Sequence, residues 1–289
     1  MSTWVRLHHA LVLAVLASAG LGATVAAQPQ GAQPPPSTSA LVTAVARYVE
    51  GYQRAFLLLI ADEQYEQVRT VDGEPAATAR SLRGELFLTF LEAEDRWMAI
   101  HDFATVDGAE VPDREDLPRL IRQGSLRAVA PRLAARNARY NLGRVTRNFN
   151  EPTLALQVFS ADRRSRFRFS REDLTEEAGV SLVALAFRER ERPTLVGSVR
   201  GGPVFADGEA VVEAETGRIR RILMRFEDGP VAATLETVFA RHADLGLWVP
   251  VFFTERYRLQ DGTHGETIVS EARYTNYRRF ETSGRLGID

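Results

Sequence analysis

RIRRILMRFE (218–227), VAATLETVFA (231–240), VPVFFTERYRLQ (249–260) and ETIVSEARYTNY (266–277) decide the fold of this chain. Each alternates apolar with polar residues at a period of two, the mark of a strand with one buried face. Ile222, Met224 and Phe226 share one face. So do Val249, Val251, Phe253, Tyr257 and Leu259, and likewise Ile268, Ala272 and Tyr274. Thr216-Gly217, Asp228-Gly229 and Asp261-Gly262 fall where tight hairpin turns are needed. Four strands in succession, joined by hairpins, are an antiparallel meander.

Reading outward extends the pattern. Upstream, Gln64–Val71, Ser81–Leu91, Arg96–Val106, Arg166–Phe169, Val180–Glu189 and Glu209–Glu215 also read as strands. Five Asp-Gly pairs fall between strand candidates over the whole chain. In Ser81–Leu91, Leu82, Leu86 and Leu88 share a face, while Phe87 and Phe90 are read as breaking the alternation. That predicts a bend, or a sheet covered on both sides.

Three helical regions interrupt the strands. Ser39 is placed to cap a helix from Ala40, with Leu41, Val45, Tyr48, Tyr52, Phe56 and Leu59 as its apolar face. That face is expected against the concave side of the sheet, the partner of matching apolar size. Asp113–Arg122 and Leu126–Tyr140 follow, the second carrying Pro131 and therefore expected to kink or divide. Asn150-Glu151-Pro152 is read as opening a third helix that runs to about Ala161. Helices in blocks beside about ten antiparallel strands give an α+β class. The expected architecture is a large curved antiparallel sheet, an open half-barrel, wrapped around a few helices.

The N-terminus carries an address. Met1 to His9 is lightly basic, Ala10 to Leu21 is apolar, and Val25-Ala26-Ala27 puts small residues at −3 and −1 before Gln28. This is a secretory signal peptide over 1–27, cut after Ala27, for export to the periplasm or outside the cell. Gln28–Ser39 is a Pro/Gln/Ser tether expected to be extended or disordered. Residues 40–289 are read as one α+β domain.

Composition narrows the chemistry. The chain of 289 residues has no cysteine, and all 36 of its basic residues are arginine. Disulfides, thiolate nucleophiles and lysine Schiff bases are therefore excluded. Removing 1–27 leaves 35 arginines against 38 carboxylates, a balance that argues against nucleic-acid binding. His101, His242 and His264 lack metal-site spacing, so no metal or cofactor is expected and the three are given surface or capping roles. His101 and Asp102, adjacent on a strand, must point to opposite faces.

Charged clusters offer two further readings. Glu92, Glu94 and Asp95, and Asp113, Glu115 and Asp116, are carboxylate groups of the kind a glycoside hydrolase uses. At a helix start they also serve the helix dipole. Arg163, Arg164, Arg166, Arg168 and Arg171, with Arg220, Arg221 and Arg225, suit either acidic ligands or pairing across the sheet with Glu213, Glu215 or Glu255.

Several motifs carry a resemblance. They are Val106-Asp107-Gly108 with Pro112-Asp113-Arg114-Glu115-Asp116, Ala138-Arg139-Tyr140-Asn141-Leu142-Gly143, Pro152-Thr153-Leu154-Ala155-Leu156 and Arg166-Phe167-Arg168-Phe169. Thr216-Gly217-Arg218, Leu247-Trp248-Val249-Pro250-Val251 and Tyr274-Thr275-Asn276-Tyr277-Arg278-Arg279-Phe280 complete the set. With them the chain resembles exported proteins of soil bacteria that have no assigned activity. Its layout is also similar to the periplasmic lipoprotein-carrier fold, an open half-barrel around helices that can hold acyl chains. That likeness implies a non-enzymatic envelope protein with a lipid or acyl ligand. Phe87, Trp97, Phe226, Phe253 and Tyr257, which project from inward strand faces or break alternation, are the candidate lining residues. The alternatives are a hydrolase built on the carboxylate clusters and an interaction module for an envelope protein partner.

Overall fold

The computed structural model describes residues 36–55, 58–112, 114–123, 126–145, 147, 151–198, 201–262 and 264–280. Ten long strands carry the chain. They are β1 (Leu59–Val71), β2 (Thr78–Leu91), β3 (Arg96–Val106), β5 (Phe167–Glu177) and β6 (Val180–Glu189), then β9 (Ala206–Glu213), β10 (Ile219–Asp228), β11 (Val231–His242), β12 (Leu247–Asp261) and β13 (His264–Arg279). The two-residue β4 (Ala109–Glu110) adds an edge. A ribbon of β7 (Val196–Gly197) and β8 (Pro203–Val204) stands apart. The sheet has eleven strands in the order β4-β3-β2-β1-β13-β12-β11-β10-β9-β6-β5, every pair antiparallel. Apart from the β1–β13 and β6–β9 pairs, neighbours in the sheet are neighbours in sequence. This is the open, curved α+β sheet expected from the strand pattern.

The hairpins behave as their turn residues require, with one correction. Asp207-Gly208 lies inside β9. A side chain at Gly208 would place Cβ 2.0 Å from the Leu223 carbonyl oxygen, so this glycine permits close approach of backbones.

The helix α1 (Thr38–Ala55) enters the concave side. Its N-cap is Ser37, whose Oγ accepts the Ala40 amide at 3.2 Å, and the helix starts two residues before the expected Ala40. Leu41, Val45, Val49 and Tyr52 are buried in one core with the inward residues of the sheet. Each such side chain contributes about 1.5–3 kcal/mol relative to exposure. Leu59, read as the end of this stripe, instead begins β1; Phe56 lies outside the described residues. The Tyr52 ring is 5.6 Å from Trp97 on β3 and 6.5 Å from Phe239 on β11. Five strand spacings separate β3 from β11, about 24 Å in a flat sheet. One tyrosine can reach both only because the sheet curls.

At β1–β3 the sheet is covered on both faces. Leu82, Leu86, Leu88 and Phe90 form one concave row, so Phe90 continues the alternation rather than breaking it. Phe87 and Leu91 point the other way, with Ile60, Met98 and Ile100, under α2 (Leu117–Gln123) and α3 (Leu126–Ala138). Leu117, Ile121, Val129 and Leu133 supply the helical side of this second core. α3 runs unbroken through Pro131, which forfeits the one helical bond to the Arg127 carbonyl. The third expected helix is only the 3-10 turn Leu154–Phe159. Five of its six residues are buried, so it fills the hollow from all sides and presents no single face. Its expected cap, Asn150, lies outside the described residues.

Candidate functional site

The concave hollow is where β1, β11, β12 and β13 bring their inward residues together. Registration fixes the rows. Gln67 stands opposite Ser270, which stands opposite Glu255; Tyr65 stands opposite Ala272, which stands opposite Phe253. Glu63 faces Tyr274, and Tyr257 faces Ile268. Side chains that period two places on one face are thereby stacked at strand spacing into a patch with apolar margins and a polar middle.

Four of the five expected lining residues belong to the concave core. Trp97, Phe253 and Tyr257 are buried, and Phe226 is half-buried at its margin. Phe87 is on the opposite face, beneath α2 and α3. Strand alternation separates two faces but cannot say which is concave, and here both are apolar.

The polar middle is held by Glu255. Its Oε1 accepts a hydrogen bond from the Tyr65 hydroxyl at 2.5 Å and lies 3.9 Å from Arg147 Nε. Its Oε2 accepts from the Tyr257 hydroxyl at 3.4 Å. Arg147 donates to Gln67 Oε1 at 2.6 Å and to the Leu142 carbonyl at 2.9 Å, and lies over the Tyr257 ring. Burial pushes the Glu255 carboxyl up to about 7, more strongly than the Tyr65 hydrogen bond and the Arg147 charge pull it down. The Tyr65 hydroxyl is raised by burial first, then by the Glu255 charge.

A second buried pair accompanies it. His101 Nδ1 is 2.7 Å from Glu63 Oε2, and both residues are buried. This corrects the surface role expected for His101. Its neighbour Asp102 faces outward, as strand alternation requires, and binds Arg114 at 2.9 Å and Arg136 at 3.4 Å. Glu63 Oε1 and the Tyr274 hydroxyl, opposite one another in register, are buried without a hydrogen-bond partner among the described residues.

Sequence reasoning missed Glu63, Gln67, Arg147 and Ser270 as interior polar groups. A signal existed: Glu255 is in phase with Phe253 and Tyr257, and Ser270 with Ile268 and Ala272. A polar residue in an inward row is a buried polar residue. The expected pairing of Glu255 with outer arginines therefore fails, because Glu255 is on the concave face. Arg147 reaches it from a loop, where no periodicity operates.

Several members of the charged clusters form ion pairs. Glu94 pairs with Arg96, Asp95 with Arg163 at 2.9 Å and Glu115 with Arg132 at 2.9 Å. Asp116 accepts the Arg119 amide at 2.9 Å and caps α2. Glu92 is exposed, and Asp113 lies outside the described residues. Among the described members, all but Glu92 are engaged by an arginine or a backbone amide. Arg218 and Arg220 both bind Glu213 and stack on Trp248, and Arg221 joins Glu209 to Glu236. Among the described residues no group of three or more potential metal-ligating side chains is found.

No family model matches the chain, and no curated protein matches its sequence. Among solved structures, it is similar to a domain from Vibrio parahaemolyticus assigned to outer membrane lipoprotein sorting. Identity is 13% over 83% of this chain and 92% of that one, with a TM-score of 0.38. A DUF1329 family protein from Desulfovibrio piger aligns at 8% identity over 84% and 95%, with a TM-score of 0.34. The MucA/MucB complex of Pseudomonas aeruginosa gives 10% identity over 84% and 99%, with a TM-score of 0.20. All three TM-scores lie below 0.5, and the architecture rests on the strand order and register above.

Proposed function

We propose that this is an exported, non-enzymatic binding protein of the cell envelope whose half-barrel takes an apolar or acyl ligand. The observation that carries the reading is the polar pair Glu63 Oε1 and Tyr274 Oη, unmet among the described residues, inside a hollow with apolar margins. A buried polar atom without a partner costs about 1–3 kcal/mol. An amphiphile recovers that cost if its polar end meets the pair while its chain lies along Trp97, Phe253, Tyr257 and Phe226. The chain would take volume now filled by Leu154–Phe159, a segment whose hold includes one hydrogen bond, from Thr237 Oγ1 to the Pro152 carbonyl at 2.7 Å. Phe87, on the other face, is not part of this site. In this reading residues 1–27 direct export and are removed, 28–39 form a tether, and 40–289 act as one domain in the periplasm or outside the cell.

The test is calorimetric titration of delipidated protein with fatty acids of increasing length. Material from the envelope fraction, sequenced from its N-terminus, should begin at Gln28. Affinity should rise by about 0.8 kcal/mol, roughly fourfold, for each further CH₂ buried, with little dependence on salt. Absence of saturable binding at every length would sink the reading.

A further inference from the structure

The outer face of the sheet carries a second feature, independent of the hollow. Register aligns Arg168 on β5, Arg188 on β6, Asp207 on β9 and Arg225 on β10 in one row across four neighbouring strands. Arg190, just past the end of β6, lies beside the row. Between them lies a depression of about 330 Å³, lined also by Ser170, Ala186 and Glu172. It adjoins another of about 370 Å³ that shares Arg188, Arg190 and Asp207 and is lined by Phe205, 43% exposed.

The charges here are not balanced. Arg225 is held by Asp207, at 2.9 and 3.1 Å. Arg168, Arg188 and Arg190 make no side-chain ion pair or hydrogen bond among the described residues, although carboxylates outnumber arginines in the chain. Four arginines face two carboxylates, Glu172 and Asp207, which leaves the depression with an excess of two positive charges. Nearby arginines without counterions repel one another across a strand spacing of about 4.8 Å. That spacing also lets two neighbouring guanidinium groups close on a single tetrahedral anion, each offering a planar fork of donors. The small side chains of Ser170 and Ala186 leave room for it.

We propose that this groove is a binding site for a phosphate-bearing ligand, gripped by Arg168 and Arg188 with Arg190 and Arg225 beside them. Asp207 keeps Arg225 oriented. Phe205 offers a flat apolar contact next to the anion. The chemistry fits a soluble phosphate compound or the phosphate of a lipid headgroup, and the experiment separates them.

The full chain is titrated with pyrophosphate by calorimetry and, separately, floated with vesicles of phosphatidylglycerol or of phosphatidylcholine at low and high salt. The variant is R168Q/R188Q; the control is R83Q/R241Q, which removes two other exposed arginine charges. Thermal melts check that both fold. Pyrophosphate binding weakened at least tenfold in the variant and kept in the control supports the site with a soluble ligand. Salt-sensitive flotation with phosphatidylglycerol alone, lost in the variant and kept in the control, supports it with a lipid headgroup. Binding of neither, binding unchanged in the variant, or equal loss in the variant and the control overturns the proposal.

Discussion

Replacing Glu255 with Gln should change how stability depends on pH. Burial pushes the folded carboxyl up to about 7 from its ordinary 4.5. The folded state therefore holds this proton more tightly than the unfolded chain does. Its contribution to stability is fully present below the unfolded value and is lost as pH rises through about 7. Between pH 5 and pH 8 the loss is about 2.5 kcal/mol. Glutamine has no proton to lose, and its Oε1 can still accept from Tyr65. Glu151 is pushed up to about 7 by burial in the same sense, while other carboxyls titrate in the opposite sense. Glu213 and Glu266, held low by hydrogen bonds and arginine charges against the opposing effect of burial, stabilise the fold above their unfolded values and cease to do so on acidification. Only the difference between variant and wild type isolates Glu255. Urea melts of both proteins at pH 5, 6, 7 and 8 should show the variant gaining about 2.5 kcal/mol on wild type over that range. A difference constant to within about 0.5 kcal/mol would refute the burial argument for this carboxyl.

Two packing predictions follow from α1. Gly217 has φ +68°, and a Cβ there would fall 2.3 Å from the Ala44 carbonyl carbon and 2.5 Å from the Val45 nitrogen, both helix backbone. Gly217→Ala combines left-handed strain with displacement of α1, and should lower unfolding stability by more than about 2 kcal/mol in thermal melts; a loss under about 0.5 kcal/mol would show that the turn and the helix do not touch. Leu41→Ala, at a fully buried position on the same helix, should cost about 2–5 kcal/mol in denaturant melts, and a change below about 1 kcal/mol would make α1 peripheral.

Much of the sheet was legible because its signal is local. Arg96–Val106 and Val180–Glu189 have the bounds that period two gives them, and β10 to β13 differ only by a few terminal residues. His101 and Asp102 point to opposite faces as adjacent strand residues must. The short β4 and the β7–β8 ribbon were not foreseen, since two residues are too few to show a period. The segment from Asn150 read as a helix because a good cap precedes an apolar run, yet that run is enclosed on every side and tightens into a 3-10 turn.

What tertiary structure alone decided is where distant rows meet. β1 pairs with β13 across the length of the chain, and this pairing sets Glu63 beside Tyr274 and Gln67 beside Ser270. The sequence pattern places Phe87 and Phe253 in strands. Only the curl of the sheet makes one face convex and the other concave. Arg147, in a loop, finds Glu255 through three-dimensional proximity, and the unpaired row of Arg168 and Arg188 exists only once β5, β6 and β9 lie in register. The period of a strand is set by its own backbone geometry, whereas its partners, its curvature and its charge balance are set by chain closure over long separations, which no single stretch of sequence contains.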